Sequence, residues 1–159
     1  MKSYSQALNI LKKNPIKIGD EYIKSVESLN RICATNIYSN SNYPSADNSS
    51  LDGYAINSNH TKKLSKKKIK LFKILGTIAA GDKFLKKKIK KFQAIEIMTG
   101  GILPKNLNTI IPIEKIIFYP NKKKATHIVI NKKSKKNHHV RLKGSDYKIN
   151  DLLIKKGTI

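Results

Sequence analysis

The spacing of apolar residues changes once along this chain, and that change limits the possible folds more than any other feature. At first the intervals are helical. Tyr4, Ala7, Leu8 and Leu11 share one face, and Ser3 with Gln6 has capping-box spacing, which predicts a helix over Tyr4–Lys13 ending near Asn14 and Pro15. After a turn at Ile18 to Asp20, Glu21 to Lys24 is a candidate short strand. Val26, Leu29 and Ile32 would line a second, shorter helix, which Asn30 ends early by adopting left-handed backbone.

From Gly53 onward the apolar residues instead form short or alternating runs divided by turn and lysine signals: Gly53 to Ile56, Ile69 to Ile78, Ala94 to Met98, Thr109 to Ile113 and Thr126 to Ile130. Such runs predict a β-rich domain, a barrel or a sandwich. Between the two regimes, Ser39 to Ser50 is dense in Ser, Asn and Asp and contains Pro44, so a domain boundary is placed there. The final stretch, Val140 to Ile159, is turn, strand and turn around Leu152 to Ile154. The expected fold class is therefore α+β.

A net charge of +23 invites a polyanionic partner. Only Arg31 and Arg141 are arginines, however, and base recognition draws preferentially on arginine forks. The lysine runs Lys62 to Lys70, Lys86 to Lys91, Lys122 to Lys124 and Lys132 to Lys136 fall between apolar segments with few interleaved aromatics, as solvated loop tips would. Abundant Lys, Asn and Ile also match what an adenine- and thymine-rich genome imposes through its codons. Both facts weigh against a dedicated nucleic-acid surface. No apolar stretch is long enough for a membrane span and the start lacks a secretory signal, so a cytoplasmic protein is expected. The single cysteine, Cys33, excludes an internal disulfide and is expected to pack within Leu29 to Ala34.

Three segments could carry chemistry. NSSLDGYA (Asn48 to Ala55) presents Asp52 at an Asp-Gly turn, where a carboxylate can ligate a hard cation or simply make the turn. MTGGILP (Met98 to Pro104) places Thr99, Gly100 and Gly101 directly after an apolar run, and paired glycines can aim backbone amides at an anion or merely bend the chain. In VRLKGSD (Val140 to Asp146), Asp146 lies near Arg141 and Lys143, where an exposed ion pair is the plain alternative. His138 and His139, as strand neighbours, would face opposite ways and could not share a metal ion.

The order of these segments, together with AAGD (Ala79 to Asp82) and IIPIE (Ile110 to Glu114), resembles the molybdopterin molybdenumtransferases, the family that includes the carboxy-terminal part of gephyrin. The family runs close to NSAMDGYA, then TGAPLP, a later glutamate, and an arginine followed by Gly-x-Asp. Here Ser50, Leu51 and Gly101 replace Ala, Met and Ala, and Asn150 stands where glycine is usual.

The resemblance implies a small α/β first domain built from both chain ends, residues 1–45 and 140–159, with a β-rich domain, residues 46–139, inserted between them. It further implies insertion of molybdenum from molybdate into adenylylated molybdopterin, in a cleft shared with the pterin-binding domain of a dimer mate. The implied catalytic residues are Asp52, Thr99 and Asp146. Ser50, Gly100 and Gly101 are the cofactor-binding candidates, and Asp52 and Asp146 are the ligands of Mg2+ or another divalent cation. A homodimer is expected, as is a molybdopterin adenylyltransferase that supplies the substrate. The pterin-binding domain has no counterpart here, so this truncated chain alone is expected to be inactive. Two alternatives stay open: a non-catalytic dimerisation or partner-binding module, and a basic nucleic-acid-binding protein.

Overall fold

The computed structural model describes residues 2–16, 18–82 and 89–159. The first part of the lysine run Lys86 to Lys91 therefore lies outside the described residues. Contacts divide the chain into two units, Met1–Ile37 with Leu152–Ile159, and Tyr38–Asp151. Both chain ends thus meet in the first unit.

Within that unit, helix α1 spans Tyr4–Lys13. The Ser3 side chain accepts from the Gln6 amide, and the Gln6 side chain accepts from the Ser3 amide, so two otherwise orphaned donors are satisfied. Lys12 and Lys13 sit at the negative end of the helix dipole. Farther along, Cys33 and the C-terminal turn exchange backbone bonds: the Cys33 amide donates to Thr158 and the Gly157 amide to Cys33, both at 2.8 Å. Strand β1 (Ile37–Tyr38) pairs with β10 (Leu152–Ile154).

Two expectations fail in this unit. Residues 21–24 form no strand, and the second helix shrinks to a single 3-10 turn at Ser25–Glu27. Asn30 does adopt left-handed backbone (φ 63°), which ends that turn before a helix can propagate. Val26 and Leu29 are each 84% exposed, so no packed face rewards helix formation there. Cys33 is half-buried, with its Sγ donating to the Thr35 carbonyl, and is less enclosed than expected.

The second unit is built on a six-stranded sheet in the order β6-β3-β5-β4-β8-β7, curled like half a barrel. Its strands are β3 (Gly53–Ile56), β4 (Lys70–Ile78), β5 (Gln93–Ile97), β6 (Thr109–Pro112), β7 (Ile117–Tyr119) and β8 (His127–Ile130). Two further short strands, β2 (Asn48–Ser49) and β9 (Val140–Arg141), pair with each other. All ladders in the sheet are antiparallel except β4 with β5, whose register shifts between Ile74 and Thr77.

Alternation sends successive side chains to opposite faces of the sheet. Ala55, Ile95, Ile97 and Ile110 pack in one buried cluster, and Tyr54, Ile56, Phe72, Ala94 and Ile128 pack in the other. Phe72, Ile56, Ile95, Ile97, Ile110 and Ile128 are the largest apolar side chains buried almost completely. At roughly 1.5–3 kcal/mol per fully buried large apolar side chain, these two clusters are the main stabilising element of the sheet.

Candidate functional site

Strand register brings the first two motifs together. Gly53 of β3 faces Ile97 of β5, so the residue before Gly53 meets the turn that follows Ile97. Asp52 and Thr99 consequently touch. The Thr99 amide donates to Asp52 Oδ1 at 2.7 Å, and the Thr99 hydroxyl donates to the same oxygen at 2.8 Å. The Asp52 backbone is fixed as well, its carbonyl accepting from the Ile113 amide at 3.1 Å. Both Thr99 bonds favour the ionised carboxylate and hold its pKa below the ordinary value, the amide contributing most.

Gly53 is required for this approach. A Cβ there would lie 2.2 Å from the Ile111 carbonyl oxygen, far inside contact distance. Beside it, Gly100 has φ +79°, and a Cβ on Gly101 would meet Ile97 and the Met98 carbonyl at 2.9 Å. The Gly100 amide donates to Ser49 at 2.8 Å and the Gly101 amide to Met98 at 2.9 Å. Both amides are thus spent within the fold, and neither converges on an anion in this conformation. The glycines work here by letting the turn press against β2. Ala80 of the AAGD turn lies 3.4 Å from where a Gly100 Cβ would be, and Asp82 closes that turn by accepting from the Ala79 amide at 2.7 Å.

Strand β2 connects this turn to the third motif. On one side Ser49 exchanges backbone bonds with Gly100 and Gly101, and on the other Asn48 and Ser49 pair with Arg141 and Val140 of β9. Ser50 is exposed, and its amide donates to the His139 carbonyl at 3.1 Å. Asp146 closes the turn after β9, with its amide donating to Tyr43 at 3.0 Å. Its carboxylate is engaged by the Arg141 guanidinium through both Nε and a terminal nitrogen, and by the Ser145 hydroxyl at 3.2 Å. Arg141 holds the Asp146 pKa low, and Asp146 in turn raises that of Arg141. The guanidinium also lies 5.3 Å from the Tyr43 ring, which stacks on Tyr147.

The structure therefore joins Asp52 to Thr99 directly. Asp146 is linked to them through β2 and Arg141, and among the described residues it hydrogen-bonds to neither. Arg141 belongs to this constellation, as does Asp47, whose carboxylate accepts from the Lys143 amide at 2.8 Å and whose carbonyl accepts from the Leu103 amide at 2.9 Å. Its position just before NSSLDGYA was the available signal for Asp47.

His138 and His139 correct a further expectation. They lie in a turn and not a strand, His139 has φ 58°, and their rings come within 3.9 Å, centroid to centroid. Among the described residues no group of three or more His, Cys, Asp or Glu is arranged to hold a metal ion.

A mixed β sheet carrying this clasp, in a chain whose two ends share a separate unit, defines a module found in proteins of molybdenum cofactor biosynthesis. The family model described as the MoeA N-terminal region (domain I and II) matches residues 2–159, and the chain belongs to that family. The molybdopterin molybdenumtransferase of Haemophilus influenzae is 32% identical over 149 residues, covering 93% of this chain and 34% of that protein. Its counterpart from Staphylococcus epidermidis is 29% identical over 155 residues, covering 98% and 36%. Two crystal structures of the molybdopterin biosynthesis MoeA protein of Pyrococcus horikoshii superimpose well. One gives a TM-score of 0.81 at 30% identity, covering 95% of this chain and 37% of the other, and the second gives 0.86 at 25%, covering 98% and 40%. The chain spans about a third of the length of the curated relatives it matches.

Proposed function

We propose that this chain supplies the β-rich wall of a site where molybdenum from molybdate is inserted into adenylylated molybdopterin. The observation that carries this reading is the Asp52–Thr99 contact, which joins residues from two distant motifs into one ionised, exposed and rigidly held carboxylate. The second Asp52 oxygen takes neither of the two Thr99 bonds.

Magnesium characteristically binds one or two carboxylates, several waters and the phosphates of a substrate. Asp52 fits that chemistry. Asp146 fits it less well, because a cation there would have to displace the Arg141 guanidinium. Asp52 would then hold the ion, with Thr99 fixing the carboxylate, while Asp146 orients Arg141. Bound there, the ion would neutralise charge on molybdate or on substrate phosphate. Ser50 and the Gly100–Gly101 turn would shape the edge against which the pterin substrate rests.

On the same reading the chain acts in the cytoplasm together with a pterin-binding domain, in a homodimer, and takes its substrate from a molybdopterin adenylyltransferase. The test is to combine this chain, fused or mixed, with the remaining domains of a relative and follow molybdate-dependent consumption of adenylylated molybdopterin. Consumption that depends on Asp52 is expected. Equal consumption with Asp52→Ala would remove the carboxylate from the site.

A further inference from the structure

The lysines between the first two motifs form a second feature. In sequence they look like separate loop tips, but in the fold two of the runs meet at Phe92. A groove of about 460 Å³ is lined by Lys62, Lys63, Lys68, Lys70 and Lys91, with Phe92 and His60 among its other walls. That size falls within the usual range for small-molecule sites.

The groove is built, not incidental. Thr61 is fully buried, donates its hydroxyl to Ser58 at 2.8 Å and accepts from the Ser134 amide at 2.9 Å, which fastens the segment leading to Lys62 and Lys63. A tight turn follows, with Ser65 and Lys68 exchanging backbone bonds at 3.1 and 2.9 Å. From the opposite side, Phe92 holds left-handed backbone at φ 56°, an unfavourable state for an aromatic residue. Its carbonyl accepts from the Lys73 amide at 3.0 Å, and its amide donates to His60 Nδ1 at 3.5 Å. Lys70 and Lys91 then stand 4.7 and 5.2 Å from the Phe92 ring centre.

Among the described residues no carboxylate lines this groove. The two ion pairs among the described residues, Arg31–Glu21 and Arg141–Asp146, lie elsewhere. Five exposed lysines therefore border one groove whose described lining holds no carboxylate, so an anion entering it meets several positive charges and no opposing negative one. Their chemistry selects the anion. Separate lysine point charges suit phosphate, and the groove offers no arginine fork for planar carboxylate recognition. Several spaced ammoniums suit several linked phosphates better than one. Stacked bases of a nucleic acid fit poorly, because the Phe92 ring is already flanked by Lys70, Lys91, His60 and the edge of Phe72.

We propose that this groove binds a phosphate chain, a di- or triphosphate, either free or carried on a nucleotide. The site is independent of Asp52 and of the molybdenum chemistry.

The test is calorimetric titration of the chain with sodium tripolyphosphate and with ATP at physiological salt, alongside NMR observation of His60. One saturable site is expected, together with a rise in the His60 pKa, which burial and Lys91 otherwise hold low. Lys68→Gln combined with Lys91→Gln should weaken binding about tenfold or more, whereas neutralising Lys122, Lys123 and Lys124 should leave it unchanged. Affinity for ATP no greater than for tripolyphosphate identifies the phosphate chain alone as the ligand, and tighter binding of ATP identifies a nucleotide. Non-saturable binding, an unmoved His60, or equal loss in both sets of variants would reduce the groove to general charge attraction and overturn the proposal.

Discussion

Thr99 directs both its backbone amide and its hydroxyl to one oxygen of Asp52, at 2.7 and 2.8 Å. A contact of this kind separates the structural role of Asp52 from its charge, because an asparagine oxygen could still accept both bonds.

Asp52→Asn should therefore fold like the parent chain, and Asp52→Ala should loosen the Thr99 turn. On the proposed function, both should abolish molybdenum insertion when the chain is combined with the remaining domains of a relative. Amide exchange at Thr99 checks the first point, and consumption of adenylylated molybdopterin checks the second.

Acid titration should show the same charge. The Asp52 pKa is depressed in the fold, so its stabilising contribution is full above the ordinary carboxylate value and is lost as pH falls through the depressed one. Asp52→Asn should lack that component when urea midpoints are compared between neutral and acidic pH.

Gly53→Ala tests the strand register that creates the site. With a Cβ placed 2.2 Å from the Ile111 oxygen, β3 and β6 must separate, and a loss of about 1–3 kcal/mol or more in chemical denaturation is expected. Gly19, with nothing within 4 Å of its Cβ position, is the control at which alanine should cost little.

Tyr54 supplies a prediction at alkaline pH. Burial, then the charge of Glu96, push its phenol up to about 12 from 10.0, and its hydroxyl donates to Glu96 at 3.3 Å. Because the folded pKa is raised, the contribution is whole below 10.0 and disappears as pH climbs towards about 12. The stability gap between the parent and Tyr54→Phe should narrow across that window.

Much of this fold was legible in the primary structure because local signals and tertiary demands agreed. Ser3 and Gln6 marked α1 to the residue, and the runs at Gly53 to Ile56 and Thr126 to Ile130 became β3 and β8 almost without change. Strand β7 escaped notice because Ile117 to Tyr119 is short and half exposed, and only its pairing with β8 defines it. The segment around Val26 and Leu29 misled in the other direction, since helical spacing without a surface to bury yields one turn.

The site was legible as a set of motifs but not as a set of contacts. Spacing could nominate Asp52, Thr99 and Asp146, yet the Gly53–Ile97 register, which makes two of them touch, is a property of the sheet. Arg141 was visible as a neighbour of Asp146. That it engages both carboxylate oxygens follows from the turn at Gly144, whose φ of +68° folds the chain back. The meeting of two lysine runs at Phe92 was hidden for the same reason.

Strand β2 is only two residues long and owes its partners to segments made much later, the Met98 to Ile102 turn and β9. Long closures of this kind are slow to form, and they must await the emergence of Val140 and Arg141 during synthesis. A nascent chain would thus complete its β-sheet core before the clasp that ties β2 to β9, and only afterwards could its last residues join β1 and Cys33.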